Sequence, residues 1–525
     1  MPKIVTAAEA VKAIPDGAVV AVNSSSGLNC PDAVLKALGD RFDAEAHPRN
    51  LTMLHPIAAG DMFGIKGVER IAKSGLIGRI IGGSYPSGPS TSEPPKIWQM
   101  LGANEMPAYN VPSGIMFDMM REAAAKRPGV ITKVGLDTFV DPDREGCAMN
   151  AMAAAAPIVH KIEFDGEEWL YFPAIVPKVA IIRGSACDER GNMSFEQEGA
   201  YLGAMEVALA AHNNGGIVIA QVRTIAENET IKPHQVRVPG ILVDYIVEVP
   251  DQWQTTQTPY DPTISGEVFK PISSFSLMEF GTGKAIARRV AQELRKGWAV
   301  NLGFGVSANV PRIFIEEGLH GQATWVIEQG AVGGVPLLEF QFGCSSNAEA
   351  FVPSAHQFTY FQAAGFDCSL LSFLQIDSHG SVNVSKLGVR PHVTAGAGGF
   401  VDITARARKI VYSGFYNAGA KMEVVDGKLK IEREGKVKKL VKDVEQVSFS
   451  GRRGVMQGQD VTYVTERCVL KLTPEGIVVT EIAPGVELQA NILDQAEFPL
   501  IVSPALKEMD KRLFTPEIMG LKLDG

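Results

Sequence analysis

The chain has 525 residues, 46% of them hydrophobic and 21% charged, and a formal net charge of −9. That length exceeds what one hydrophobic core usually serves, so two domains of roughly 250 residues each are expected. The composition is that of an ordinary globular protein, which excludes a disordered chain, and the acidic balance argues against a nucleic-acid partner, since that would require a basic face.

The longest weakly polar run, Ala148 to Val159, is too short to span a bilayer and contains an Asn and a Pro. The first residues lack the apolar core of a signal peptide, so a cytoplasmic protein with no membrane partner is expected. Six cysteines, at 30, 147, 187, 344, 368 and 468, are scattered with no Cys-x-x-Cys pair. They read as reduced, mostly buried thiols, with neither a metal site nor a disulfide framework.

In chain order, Thr6 to Ile14 reads as a short helix with a capping box formed by Thr6 and Glu9. Pro15-Asp16-Gly17 turns the chain into a strand, Ala18 to Val22. A polar loop, Asn23 to Gly27, follows, and then a helix from Pro31 through the amphipathic Asp32 to Leu38. This strand, loop and helix unit recurs: Gly297 to Pro311 aligns without a gap on Gly17 to Pro31, with Gly17/Gly297, Val20/Val300, Asn29/Asn309 and Pro31/Pro311 coinciding. A second pair keeps the same order. Val179 to Ile182 leads into Asp188-Glu-Arg-Gly191, and Leu370 to Gln375 leads into Asp377-Ser-His-Gly380, each a strand followed by a turn.

We read two homologous open α/β domains from an internal duplication. The expected boundaries are 1–250 for the first domain, with an insertion at about 80–175, then a linker at 251–275 and a second domain at 276–525. The linker is rich in Gln, Thr, Pro and Ser and lacks periodicity. Gly283 to Lys296 has apolar residues at helical spacing, and the basic tract Lys428 to Lys442 reads as a solvated face.

The stretch Trp325 to Pro336 passes from an apolar strand into a loop with three glycines, and Glu328 stands at the change. Open α/β sheets bind ligands outside the carboxyl ends of their strands, which suits a carboxylate there to a cleft. An exposed turn with an incidental glutamate would carry the same pattern. Two other signals fail. Gly281-Thr-Gly283-Lys284 imitates the end of a P-loop, but Met278 stands where its first glycine belongs and Ala285 replaces the hydroxyl. Gly303-Phe-Gly305 follows a strand, yet Ala308 occupies the third glycine of a dinucleotide loop.

The segments Glu328 to Pro336, Asn301 to Gly305, Gly396 to Ile403, Lys133 to Pro142, Val238 to Tyr245 and Val464 to Cys468 together resemble a family I CoA-transferase of the acetate or propionate type, over roughly residues 3 to 497. The resemblance implies the two-domain fold of that family and transfer of coenzyme A, as an acyl-CoA co-substrate, between carboxylic acids. It implies Glu328 as nucleophile, ionised at neutral pH, and the loop Gly396-Ala397-Gly398-Gly399 as the oxyanion segment, with Gly398 and Gly399 as donors. Asn301 to Val306, with Gly303 and Gly305, would line the CoA path together with Gly396 and Ala397, and Lys386 or Arg390 would meet its phosphates. The acid would be held by Ser113, Ser84, Tyr85 and Ser25, and the chain would form a homo-oligomer, dimer or tetramer. Where such enzymes carry Gln, this chain has Ser113, and Gly82 to Pro86 lacks their His and Trp. An acyl-CoA hydrolase and a non-catalytic acyl-CoA-binding protein remain alternatives on the same architecture.

Overall fold

A computed structural model describes residues 1–61, 64–87, 93–388 and 391–524. Thr6 caps the first helix as its spacing predicts. Its hydroxyl accepts from the Glu9 amide at 3.2 Å, and its own amide donates to the Glu9 carboxylate at 2.9 Å. The helix covers Ala7–Ala10 and tightens into a 3₁₀ turn, Val11–Ala13, ahead of Pro15, because Pro15 disfavours helical geometry in the residue before it.

The first half is built on β1 (Val19–Val22), β2 (Leu51–His55), β3 (Ile77–Gly82), β4 (Ala108–Asn110), β5 (Val179–Asp188), β6 (Ile217–Ala226) and β7 (Tyr245–Glu248), with helices α1 (Asp32–Glu45) and α2 (Ser113–Ala124). The spatial order β7-β6-β5-β1-β2-β3-β4 is parallel throughout. Parallel strands are covered on both faces, which is why Val20, Ala21 and Val22 are all fully buried rather than alternating. The second half has β8 (Ala299–Leu302), β9 (Thr324–Val326), β10 (Cys368–Ser372), β11 (Lys409–Ser413) and β12 (Asp460–Val464), with helices α3 (Val310–Glu316), α4 (Ser354–Gln362) and α5 (Phe400–Thr404). Its parallel order is β12-β11-β10-β8-β9.

Those five strands repeat β7-β6-β5-β1-β2 in both chain order and spatial order, as a duplication requires. The repeat extends to single atoms. Asp188 accepts from the amides of Arg190 and Asn192, and Asp377 accepts from those of His379 and Ser381. Both turns close on a glycine with positive φ, Gly191 and Gly380.

Three features join the halves. Residues 129–173 form a three-stranded antiparallel sheet, Gly129–Thr132, Glu167–Pro173 and His160–Phe164, and nearby Phe139 donates its amide to Val447 of the second half. Leu28, Ile57, Phe117, Ala200 and Leu202 from the first half pack into the hydrophobic core of the second. The polar stretch 251–274 is a packed strap. Gln254 and Ile264 are fully buried, Gln252 donates to the Gly184 carbonyl in the first half, and Thr263 donates to Ser346 in the second.

Candidate active site

β9 ends at Val326, and two residues later Glu328 leaves the sheet at its carboxyl end, where the pattern of the sequence puts it. The loop folds back sharply because Gly330, Gly333 and Gly334 all adopt positive φ. At Gly330 a Cβ would lie 1.9 Å from the Val352 carbonyl, so no other residue fits there.

The Glu328 side chain is half-buried at the surface, yet neighbouring atoms enclose its carboxyl group. Burial raises its pKa from 4.5 to about 7, against hydrogen bonds from Gln329 and the Gly399 amide that pull it down. Against the expectation of a carboxylate ionised at neutral pH, desolvation disfavours the charged form and moves its titration towards the neutral range. Gln329 Nε2 donates to Glu328 Oε1 at 3.1 Å and to Ser25 Oγ at 3.2 Å, and Ser354 Oγ donates to the Gln329 carbonyl at 3.1 Å. Ser25 thus reaches the glutamate through Gln329, a residue that sequence reasoning passed over although it lies in the same motif.

The glycine loop 396–399 comes from the second half but is held largely by the first. Ala397 donates its amide to Asn110 Oδ1 at 2.8 Å, Gly398 donates to the Gly83 carbonyl at 2.8 Å, and Ser113 donates to the Gly398 carbonyl at 2.9 Å. Tyr85 donates its amide to the Ala395 carbonyl at 2.7 Å. At Gly396 a Cβ would meet the Asn110 amide at 2.9 Å, and at Gly399 it would stand 2.5 Å from Glu328 Oε2. Only a glycine leaves the space between this backbone and the carboxylate free.

Asp402, in α5 just beyond the loop, is fully buried. Its Oδ2 accepts from the Gly114 amide in the first turn of α2, and its Oδ1 accepts from Gln362 Nε2, both at 2.9 Å. Gln362 also reaches Asp118 Oδ2 at 3.4 Å. Burial raises Asp402 to about 7 and Asp118 to about 6. These carboxylates carry no local sequence signal, because the fold brings them together from 284 positions apart.

The remaining expected site residues divide. Ser113 is fully buried at the start of α2, beside Gly83, and its hydroxyl has no hydrogen-bond partner among the described residues. Ser84 accepts the Ala58 amide, and the Tyr85 hydroxyl donates to the Tyr109 carbonyl, so both side chains are tied into the scaffold. Gly303 and Gly305 follow β8, Gly305 at φ +114°. Asn301 does not line a path: it is buried, donating to the Val326 carbonyl and accepting from Ser369. That correction has a simple cause, since β8 is central and both faces of its end are covered. Lys386 lies 3.5 Å from Glu145 on the rim of a cavity of about 400 Å³ whose lining includes neither Glu328 nor the glycine loop. Arg390 lies outside the described residues. All six cysteines are free and buried, and the described residues contain no group of three or more His, Cys, Asp or Glu that could hold a metal ion.

A duplicated open α/β fold that closes an enclosed glutamate against a glycine backbone loop at the junction of its halves has the form of an acyl-group-transferring enzyme. A coenzyme A transferase family model matches residues 4–249. Caffeate CoA-transferase of Acetobacterium woodii is 42% identical, over 99% of both chains. Acetate CoA-transferase YdiF of Escherichia coli K12 is 37% identical, over 99% of this chain and 96% of that one. The crystal structure of acyl-CoA transferase (YdiF) apoenzyme from Escherichia coli O157:H7 superposes with a TM-score of 0.92 at 37% identity, covering 100% of this chain and 98% of that one. A thioester complex of the same enzyme with CoA superposes at 0.91. The chain belongs to the coenzyme A transferase family and is an enzyme that transfers CoA.

Proposed function

We propose that the enzyme exchanges CoA between carboxylic acids by a ping-pong route carried on Glu328. The observation that supports this best is the enclosed Glu328 carboxylate against the Gly399 amide. A carboxylate oxygen of Glu328 attacks the acyl-CoA carbonyl, the C–S bond breaks, and CoA leaves as thiolate with the electron pair, giving a mixed anhydride. The thiolate then attacks the glutamyl carbonyl, the C–O bond to the first acyl group breaks, and the first acid departs as its carboxylate. Glu328 now holds CoA as a thioester, and a second carboxylate reverses both steps.

Each step passes through a tetrahedral oxyanion, to which Gly399 would donate its backbone N–H; the Gly398 N–H, expected as a second donor, is already spent on the Gly83 carbonyl. Enclosure assists as well. A desolvated carboxylate is a less stable anion, and its charge disappears when it is acylated.

For the acid, we propose a molecule larger than acetate. A glutamine offers a long amide donor, whereas Ser113 offers a short hydroxyl, so a simple acid loses one contact there. Phe304, 58% exposed, meets Phe342 edge-on with ring centroids 5.6 Å apart. Gly343, next to Phe342, packs against the Gln329 side chain. That aromatic pair, with Phe304 open to solvent and Phe342 half-buried, favours an apolar or planar acyl group. We further propose a cytoplasmic homo-oligomer, dimer or tetramer. Sedimentation at micromolar concentration tests the assembly, and a monomer there contradicts it.

The test of the mechanism is borohydride added after acyl-CoA in the absence of acceptor. Reduction of the thioester should inactivate the enzyme and convert Glu328 to the alcohol, with Glu328→Gln resistant and devoid of transfer. A modified residue elsewhere, or full activity in the Gln variant, refutes the assignment.

A further inference from the structure

Resting on Glu328 as the nucleophile, we propose that Asp402 is a positioning residue for the transfer. It fastens the first turn of α2 to the glycine loop that faces Glu328.

The geometry is that of a clamp. The first two amides of α2 are both spent on the other half of the molecule, Ser113 on the Gly398 carbonyl and Gly114 on Asp402 Oδ2. A helix N-terminus leaves its first amides unsatisfied and bears partial positive charge, so a carboxylate is the group best suited to receive it. The fit is tight: a Cβ at Gly114 would lie 2.5 Å from Asp402 Oδ1. Because Asp402 follows Gly399 by three residues on a short helix, whatever fixes its carboxylate also fixes the orientation of the Gly399 amide towards Glu328.

The groups facing Asp402 are the neutral Gln362, then Asp118 and Glu328, both of which raise its pKa by like charge. Behind Asp118 stand Arg121, Glu122 and Glu206, with Arg121 opposing the two glutamates in their effect on it. No cation reaches Asp402 directly among the described residues.

Three substitutions test the clamp. Asp402→Ala removes it and should lower kcat roughly ten- to hundred-fold with KM changed far less, as expected for a lost hydrogen bond to a charged group. Asp402→Asn retains an oxygen for the Gly114 amide and should recover most of that loss. Gly114→Ala attacks the same clamp from the other half and should reproduce the fall in kcat. The CoA adduct is located by peptide mapping in every variant. An adduct at Glu328 with kcat unmoved in Gly114→Ala, or with Asp402→Asn no more active than Asp402→Ala, overturns the role of Asp402 and leaves the nucleophile standing; if Asp402→Ala does not fold, Gly114→Ala decides. An adduct at another residue overturns both.

Discussion

Replacing Glu328 by glutamine should stabilise the folded chain at pH 8 while abolishing transfer. The carboxyl titrates at 4.5 when exposed and at about 7 in the fold. Its folded value is raised, so below pH 4.5 the group is protonated in both states and has no effect on stability. Between pH 4.5 and 7 the unfolded state ionises first and the fold loses stability; above 7 the loss is complete. The full shift corresponds to about 3 kcal/mol. The glutamate retains some solvent contact and the amide must keep the Gln329 and Gly399 contacts, so about 1–3 kcal/mol is the expected gain. Thermal unfolding of both proteins at pH 5 and pH 8 reads it as a rise of a few degrees in Tm at pH 8 that shrinks to about a quarter of that at pH 5. A difference independent of pH, or a variant less stable at both, would show that Glu328 is not held in an enclosed, desolvated place.

Gly399→Ala puts a methyl group 2.5 Å from Glu328 Oε2, and kcat in a steady-state transfer assay should fall by about 10²–10³ while the protein still folds; an unchanged kcat removes the loop from the mechanism. Wild-type kcat/KM should fall below a limb near pH 7, because attack needs the ionised glutamate; a profile flat down to pH 5 contradicts this. In a competition assay across acids of increasing size, wild type should use acetate and propionate relatively poorly, by roughly ten- to hundred-fold, and Ser113→Gln should shift preference back towards them. Equal preference in both proteins would remove Ser113 from specificity.

Much of this architecture is readable along the chain because it rests on local rules. The Thr6 to Glu9 capping box, the Asp-x-x-Gly turns and the paired units at Gly17 and Gly297 each depend on neighbours a few residues apart. Glu328 was visible for the same reason: it marks an abrupt change from strand to glycine loop. Asp402 lay inside a recognised motif, yet its partner Gly114 sits in another half, and nothing local distinguishes a buried aspartate from an exposed one. Asn301 failed in the opposite direction. Its place in a glycine-containing motif at a strand end suggested a ligand path, whereas the central position of β8 turned the side chain to its neighbours. The packing of the strap was not legible for a similar reason, since Gln and Thr suit a free linker as well as a segment whose amides satisfy buried carbonyls.

That strap changes how the two halves find each other. The site needs loop 396–399 seated on Gly83, Asn110 and Ser113, an encounter that would depend on concentration if the halves were separate molecules. Joined through 251–274, they meet at a fixed effective concentration whatever the abundance of the protein, and the stoichiometry is one to one by construction. Along the strap Gln252 and Gln254 bond to the first half and the Pro259 carbonyl still accepts from Arg223 there, while Thr263 and Ile264 belong to the second. Dilution, which starves a two-chain assembly of its partner, has no purchase on docking between halves that are tied in this way.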